Sequence, residues 1–181
     1  MKKYLSLLKS SLLLVGLLLL IPVTKKVFFK IYSPQKRIYV DMVADLFHPG
    51  HVEFFKKARQ FGNYLIVGLI SDEVCINYKR KPIMNLKERI AAVQACKYVD
   101  EVIGDAPLII SNEYIDKHKI DVVIHGNDYN KEQINLYYEA AIKRGIFKTV
   151  PYTQGISTSD IIRRIMHRKE EFGKKYPTTA S

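Results

Sequence analysis

Residues 37–61 read RIYVDMVADLFHPGHVEFFKKARQF. The opening RIYVDM is a short apolar run rich in β-branched and aromatic residues, as expected of a buried strand. Two histidines, His48 and His51, then bracket a Pro-Gly pair, and an amphipathic helix is expected to begin immediately after them. A glycine opening a helix lets the backbone approach a ligand closely, and the helix start offers unpaired N–H groups and a positive dipole. Such a turn is a seat for phosphate. Imidazoles placed on it add donors that can follow a phosphorus atom as its geometry changes, which a fixed amide does less well. For a bare pair of histidines, a satisfied core histidine and a helix-start residue is the plainer interpretation.

Working outward, short apolar runs alternate with helical periods. YLIVGLI (64–70) precedes LKERIAAVQACKYV (86–99), which Asn85 caps; DEVIG (100–104) precedes SNEYIDKHK (111–119). DVVIHG (121–126) precedes a polar helix through Tyr137 to Lys143, and KTVPY (148–152) precedes a last helix from about Ser157. Continuous apolar strands joined by helices predict an α/β fold: a Rossmann-like, doubly wound parallel sheet with helices on both faces. Ligands bind such sheets beyond the strand C-termini, where the strand order reverses. The segment 41–51, the HGND at 125–128 and the TQGISTSD at 153–160 all follow strands.

The chain has 181 residues, enough for one well-buried domain and an appendage. Its net charge is +11, but eight of the 29 Lys and Arg, and none of the 18 acids, lie in residues 1–37, so the remaining body is only mildly basic. Together with a second cluster, Arg163, Arg164, Arg168 and Lys169, this suits an anionic membrane surface and argues against a nucleic-acid partner. Residues 4–23 are almost wholly apolar with one charge, Lys9, and a helix of about 20 residues spans a bilayer core. No small-residue cleavage site follows, so an N-terminal apolar helix is expected to persist as a membrane anchor. Lys25, Lys26, Lys30, Lys36 and Arg37 behind it lean toward a cytoplasmic body. The expected organisation is an anchor and linker at 1–35, a catalytic domain at 36–170 and a disordered tail at 171–181. Cys75 and Cys96 read as buried thiols in a reducing compartment.

Three stretches also carry a family resemblance. DLFHPGH (45–51) resembles the DLxHxGH signature of the cytidylyltransferases, within the wider HxGH nucleotidyltransferases. KYVDEV (97–102) resembles that family's RYVDEV, and TQGISTSDII (153–162) its TEGISTSDII. The resemblance runs from about residue 38 to 165. It implies transfer of CMP from CTP to a small phospho-alcohol with release of pyrophosphate, for phospholipid synthesis. It makes His48, His51 and Lys79 catalytic, and assigns Asp45, Gly50, Arg89, Gly126, Asp128, Gly155, Ile156, Ser157 and Thr158 to the nucleotide. Asp41, Tyr129 and Tyr138 are assigned to the acceptor. Mg²⁺ is expected to arrive with CTP, with no metal held by protein ligands alone, and a homodimer is expected through residues 97–102.

Several residues depart from the family pattern. Met42 stands for a glycine and Ala44 for a phenylalanine before the histidine motif, and Tyr152 stands for an arginine before the last one. The choline enzyme's tryptophan in APW is Leu108 here, which removes one wall of an aromatic cage for a quaternary ammonium. Phosphoethanolamine is therefore the expected acceptor ahead of phosphocholine. A phosphonate cytidylyltransferase, or a weakly catalytic nucleotide-binding membrane module, is the alternative.

Overall fold

The computed structural model describes residues 34–176 except Lys79, Asp128 and Tyr152. The expected N-terminal apolar helix lies outside the described residues, and no described helix is long and apolar enough to cross a membrane. Contacts divide the chain between Gln35 and Lys36. In the second unit, β1 (Arg37–Met42) leads through a tight turn into α1 (Pro49–Ala58), and a single 3₁₀ turn connects it to β2 (Tyr64–Ile70). Two helices follow, α2 (Asp72–Tyr78) and α3 (Leu86–Gln94), and then β3 (Glu101–Ala106). The second half alternates α4 (Asn112–Lys117), β4 (Val122–Gly126), α5 (Lys131–Lys143) and β5 (Phe147–Val150). It ends in α6 (Thr158–His167) and α7 (Lys169–Lys175), so residues 171–175 of the expected tail are helical. Arg168 organises that extension by pairing with Glu171 at 2.6 Å and lying over the Phe172 ring.

All four strand pairings are parallel, in the order β3-β2-β1-β4-β5. The chain winds outward on one side of β1 and then returns to its other side. The order therefore reverses between β1 and β4, which opens a crevice beyond their C-terminal ends. Alternation along β1 supplies both cores: Ile38 and Val40 pack with Phe55, Leu65, Val67 and Val93 on one face. Tyr39 packs with Ile66, Ile115, Val123 and Tyr138 on the other. Gly68 on β2 is glycine for want of room, because a methyl there would overlap the Tyr39 hydroxyl.

Capping residues set where the helices begin. Asn85 and Glu88 form a reciprocal capping box on α3, and Asn130 and Gln133 form another on α5. Ser111 and Ser157 cap α4 and α6 through their hydroxyls. Each box satisfies helix N–H groups that otherwise lack partners. The turn after β1 uses the left-handed region twice, at Ala44 (φ 55°) and Leu46 (φ 47°). Met42 is still in the strand and is not among the positive-φ residues, so the conformational strain of this turn falls at Ala44 and Leu46 rather than where the family glycine is lost.

Arg89 on α3 is completely buried. Its guanidinium donates to the carbonyls of Val43 at 2.6 Å, Ile70 at 2.9 Å and Met84 at 3.2 Å, and to Asp72 at 2.5 Å. One side chain thus ties the turn after β1, the end of β2 and the start of α3 together. Removing it strands one buried and two part-buried carbonyls and a carboxylate. Arg89→Met is expected to cost about 3–5 kcal/mol, a fall of roughly 10 °C in the unfolding midpoint. Arg89→Lys should also be costly, since an ammonium cannot span all four acceptors. Near wild-type melting of both variants by circular dichroism would contradict this role.

Candidate active site

A cleft of about 380 Å³ opens at the switch point, lined by Asp41 and Met42 from β1, His125 and Gly126 from β4, and the starts of α1 and α6. His48 is the N-cap of α1, and its Nδ1 accepts the Gly50 N–H at 3.1 Å. In return the His48 N–H donates to Nδ1 of His51 at 3.2 Å. This is a capping box made of two imidazoles, with rings 3.9 Å apart. Because each Nδ1 accepts, each ring in this arrangement is neutral and carries its proton on Nε2. Burial, partly opposed by the Asp160 charge, pushes the His48 pKa down and reinforces that state. Nε2–H is thus the remaining donor edge of each ring, and both residues line the cleft. Pro49 occupies the first turn without wasting an N–H, and a side chain at Gly50 would press on the His48 ring and the Ile156 carbonyl. Gly50 is thus required by the packing of His48.

The second helix start meets the first across Asp45. Thr158 donates its hydroxyl to the Asp45 carbonyl at 2.8 Å, while Ser157 caps α6 by accepting the Asp160 N–H at 3.1 Å. The Asp45 carboxylate is taken up by other work: it accepts the Ile83 and Met84 N–H groups at 3.0 Å and pairs with Arg80 at 3.0 Å. Those donors outweigh burial and hold its pKa below the usual carboxylate value. Asp45 thus shapes the 80–84 loop. Gly155 (φ 98°) supplies the left-handed turn before α6 but does not line the cleft, whereas Ile156, Ser157 and Thr158 do.

At the far end, Asp41 is 6% exposed and accepts the Tyr138 hydroxyl at 2.8 Å. Burial raises its pKa, against the opposing effects of His125 and of the Tyr138 bond. The Tyr138 ring is buried and stacked on Phe147, so it holds Asp41 from behind and does not line the cleft. Tyr129 does line it, 4.2 Å from the His125 ring, and so does Leu108.

A family model described as cytidylyltransferase-like matches residues 42–164. The chain belongs to the cytidylyltransferase-like family. Among its relatives, an ethanolamine-phosphate cytidylyltransferase of Arabidopsis thaliana is 43% identical over 152 residues, covering 79% of this chain and 36% of that enzyme. Choline-phosphate cytidylyltransferase A of Rattus norvegicus is 39% identical over 142 residues, covering 77% of this chain and 39% of the enzyme. The chain thus spans well under half the length of these relatives. A lipopolysaccharide core biosynthesis protein from Thermoplasma volcanium GSS1 shares the fold, with a TM-score of 0.56 at 24% identity over 68% of this chain and all of that one.

The cytidylyltransferase-like fold brings together most of the residues read from sequence. Asp41, Asp45, His48, Gly50, His51, Gly126 and Tyr129 line one cleft with the α6 start. Arg89 and Tyr138 do not line the cleft: the first bonds to backbone carbonyls and the second donates its hydroxyl to Asp41. Lys79 and Asp128 lie outside the described residues, as does the Tyr152 departure. Arg80 and His125 line the cleft and were not chosen from sequence. For His125 the signal was available, since it closes a strand at the switch point.

A depressed His48 pKa means that folding favours the neutral ring. Its contribution to stability is whole above the unfolded pKa of about 6.5 and is lost as pH falls toward the lower folded value. His48→Asn keeps a capping acceptor that does not titrate. Unfolding midpoints measured from pH 8 to pH 5 should fall more steeply for the native chain than for His48→Asn, and parallel curves would contradict the assignment.

Proposed function

We propose that the chain transfers a cytidylyl group from CTP to the phosphate of a small amino-alcohol phosphate. An acceptor phosphate oxygen attacks the α-phosphorus, a new P–O bond forms, and the bond to the bridging oxygen of pyrophosphate breaks. The observation that carries this reading is the imidazole capping box opening on the same cleft as the α6 start. Two helix N-termini and two Nε2–H donors there suit a polyphosphate whose charge is redistributed during the reaction. No protein nucleophile is needed, so catalysis rests on positioning and on stabilising charge at phosphorus. Among the described residues no group of three or more His, Cys, Asp or Glu is arranged to hold a metal. Asp41 and Asp45 are also already bonded. Mg²⁺ in this reading enters on the phosphates of CTP and neutralises part of their charge.

Asp41 is assigned to the acceptor's cationic end. A buried carboxylate whose pKa is raised mainly by burial gains most from a positive partner that restores its charged form. A primary ammonium can donate hydrogen bonds to it, whereas a quaternary ammonium needs an aromatic enclosure. Of the described lining, Tyr129 and Phe54 offer rings, while aliphatic Leu108 stands where the choline enzyme carries tryptophan. Phosphoethanolamine is therefore favoured over phosphocholine, with 2-aminoethylphosphonate as the nearest rival. Pyrophosphate release should be followed with CTP and each of the three, with and without a Mg²⁺ chelator. The expected order of kcat/KM places phosphoethanolamine first, with activity lost on chelation. A clear preference for phosphocholine would refute the acceptor assignment, and release with none of them would refute the activity.

A further inference from the structure

The cleft wall is poor in permanent positive charge for a site that receives a polyanion. His48 and His51 are neutral in their capping arrangement, and Asp41 and Asp45 bring carboxylates to the same wall. Among the described lining residues one Lys or Arg is present, Arg80. Its guanidinium pairs with Asp45 at 3.0 Å and donates to its neighbour Lys81's carbonyl at 3.0 Å, with the side chain 37% exposed. These two bonds leave part of its fan of five N–H groups uncommitted. Asp45, for its part, also accepts two backbone N–H groups from Ile83 and Met84. The carboxylate therefore stays satisfied when Arg80 turns toward a ligand. On its other side Asp45 accepts the Thr158 hydroxyl, so the residue that holds Arg80 also borders the start of α6.

We propose that Arg80 is a nucleotide-binding residue that grips the terminal phosphates of the triphosphate, held ready on Asp45 beside the α6 start. The proposal rests on the CTP reading above and deepens it. Asp45 becomes the holder of the phosphate cation, which explains why a carboxylate lines an anion site at all. A guanidinium suits the task, because its planar fork can bind a phosphate with two parallel bonds while one edge stays on Asp45.

The test compares two nucleotides that differ in those phosphates. Binding of CTP and of CMP to the full chain is measured by titration calorimetry for the native protein, Arg80→Gln and Arg80→Lys. Arg80→Gln is expected to weaken CTP about tenfold or more, as for loss of a charged hydrogen bond, and to change CMP less than twofold. Arg80→Lys should fall between, since it keeps the charge and loses the fork. Unfolding midpoints report whether the loop survives. Unchanged CTP affinity in Arg80→Gln would overturn the proposal, and so would an equal loss for CTP and CMP, which would mean that only the shape of the loop had been damaged. A native chain that binds no CTP would overturn the functional reading itself, an outcome distinct from either of these.

Discussion

The site depends on one reciprocal arrangement: His48 accepts from the backbone at Gly50 while His51 accepts from the backbone at His48. Capping boxes ordinarily use a hydroxyl or amide and a carboxylate or carboxamide, as Asn85 with Glu88 and Asn130 with Gln133 do elsewhere in this chain. With imidazoles in both places, the cap consumes one nitrogen of each ring and leaves the other as a donor. The bonds that start the helix therefore also choose the tautomer. In the proposed reaction, folding and chemistry would share the same four ring nitrogens.

A similar sharing recurs around the turn that follows β1. Arg89 gathers the carbonyls of Val43, Ile70 and Met84, and Asp45 gathers the amides of Ile83 and Met84. A buried cation and a nearly buried anion thus grip the same loop from opposite ends. Ala44 and Leu46 hold left-handed backbone between them, a conformation that persists only where surrounding contacts over-determine it. Strain, cation and carboxylate together fix the turn between β1 and α1 against the end of β2 and the start of α3.

The alternation of apolar runs and helical periods makes the parallel sheet legible, and Asn85, Gly50 and Ser157 mark helix starts in the sequence itself. The histidine motif, placed after a strand, pointed to the switch point. The burial of Arg89 is not legible in the sequence, which does not tell a surface arginine from one surrounded by carbonyls, and the three carbonyls it meets lie 46, 19 and 5 residues upstream. The place of Tyr138 behind the cleft is hidden for a related reason. Helical spacing puts it on a face but does not say that its hydroxyl ends on Asp41, 97 residues earlier. Arg80 lies in a run of three bases, and nothing in the sequence marks it as lining the cleft.

The central claim is that the imidazoles which cap α1 remain neutral, with their protons on Nε2, while they hold phosphate. Nitrogen-detected NMR of histidine-labelled protein at neutral pH, with and without CTP, addresses it directly, with His48→Asn and His51→Asn spectra assigning the signals. Both Nδ1 atoms are expected to appear as unprotonated acceptors in the free protein and to stay so with CTP, while the two Nε2–H signals shift. A proton on Nδ1 of either ring, or Nε2 signals indifferent to the nucleotide, would contradict it.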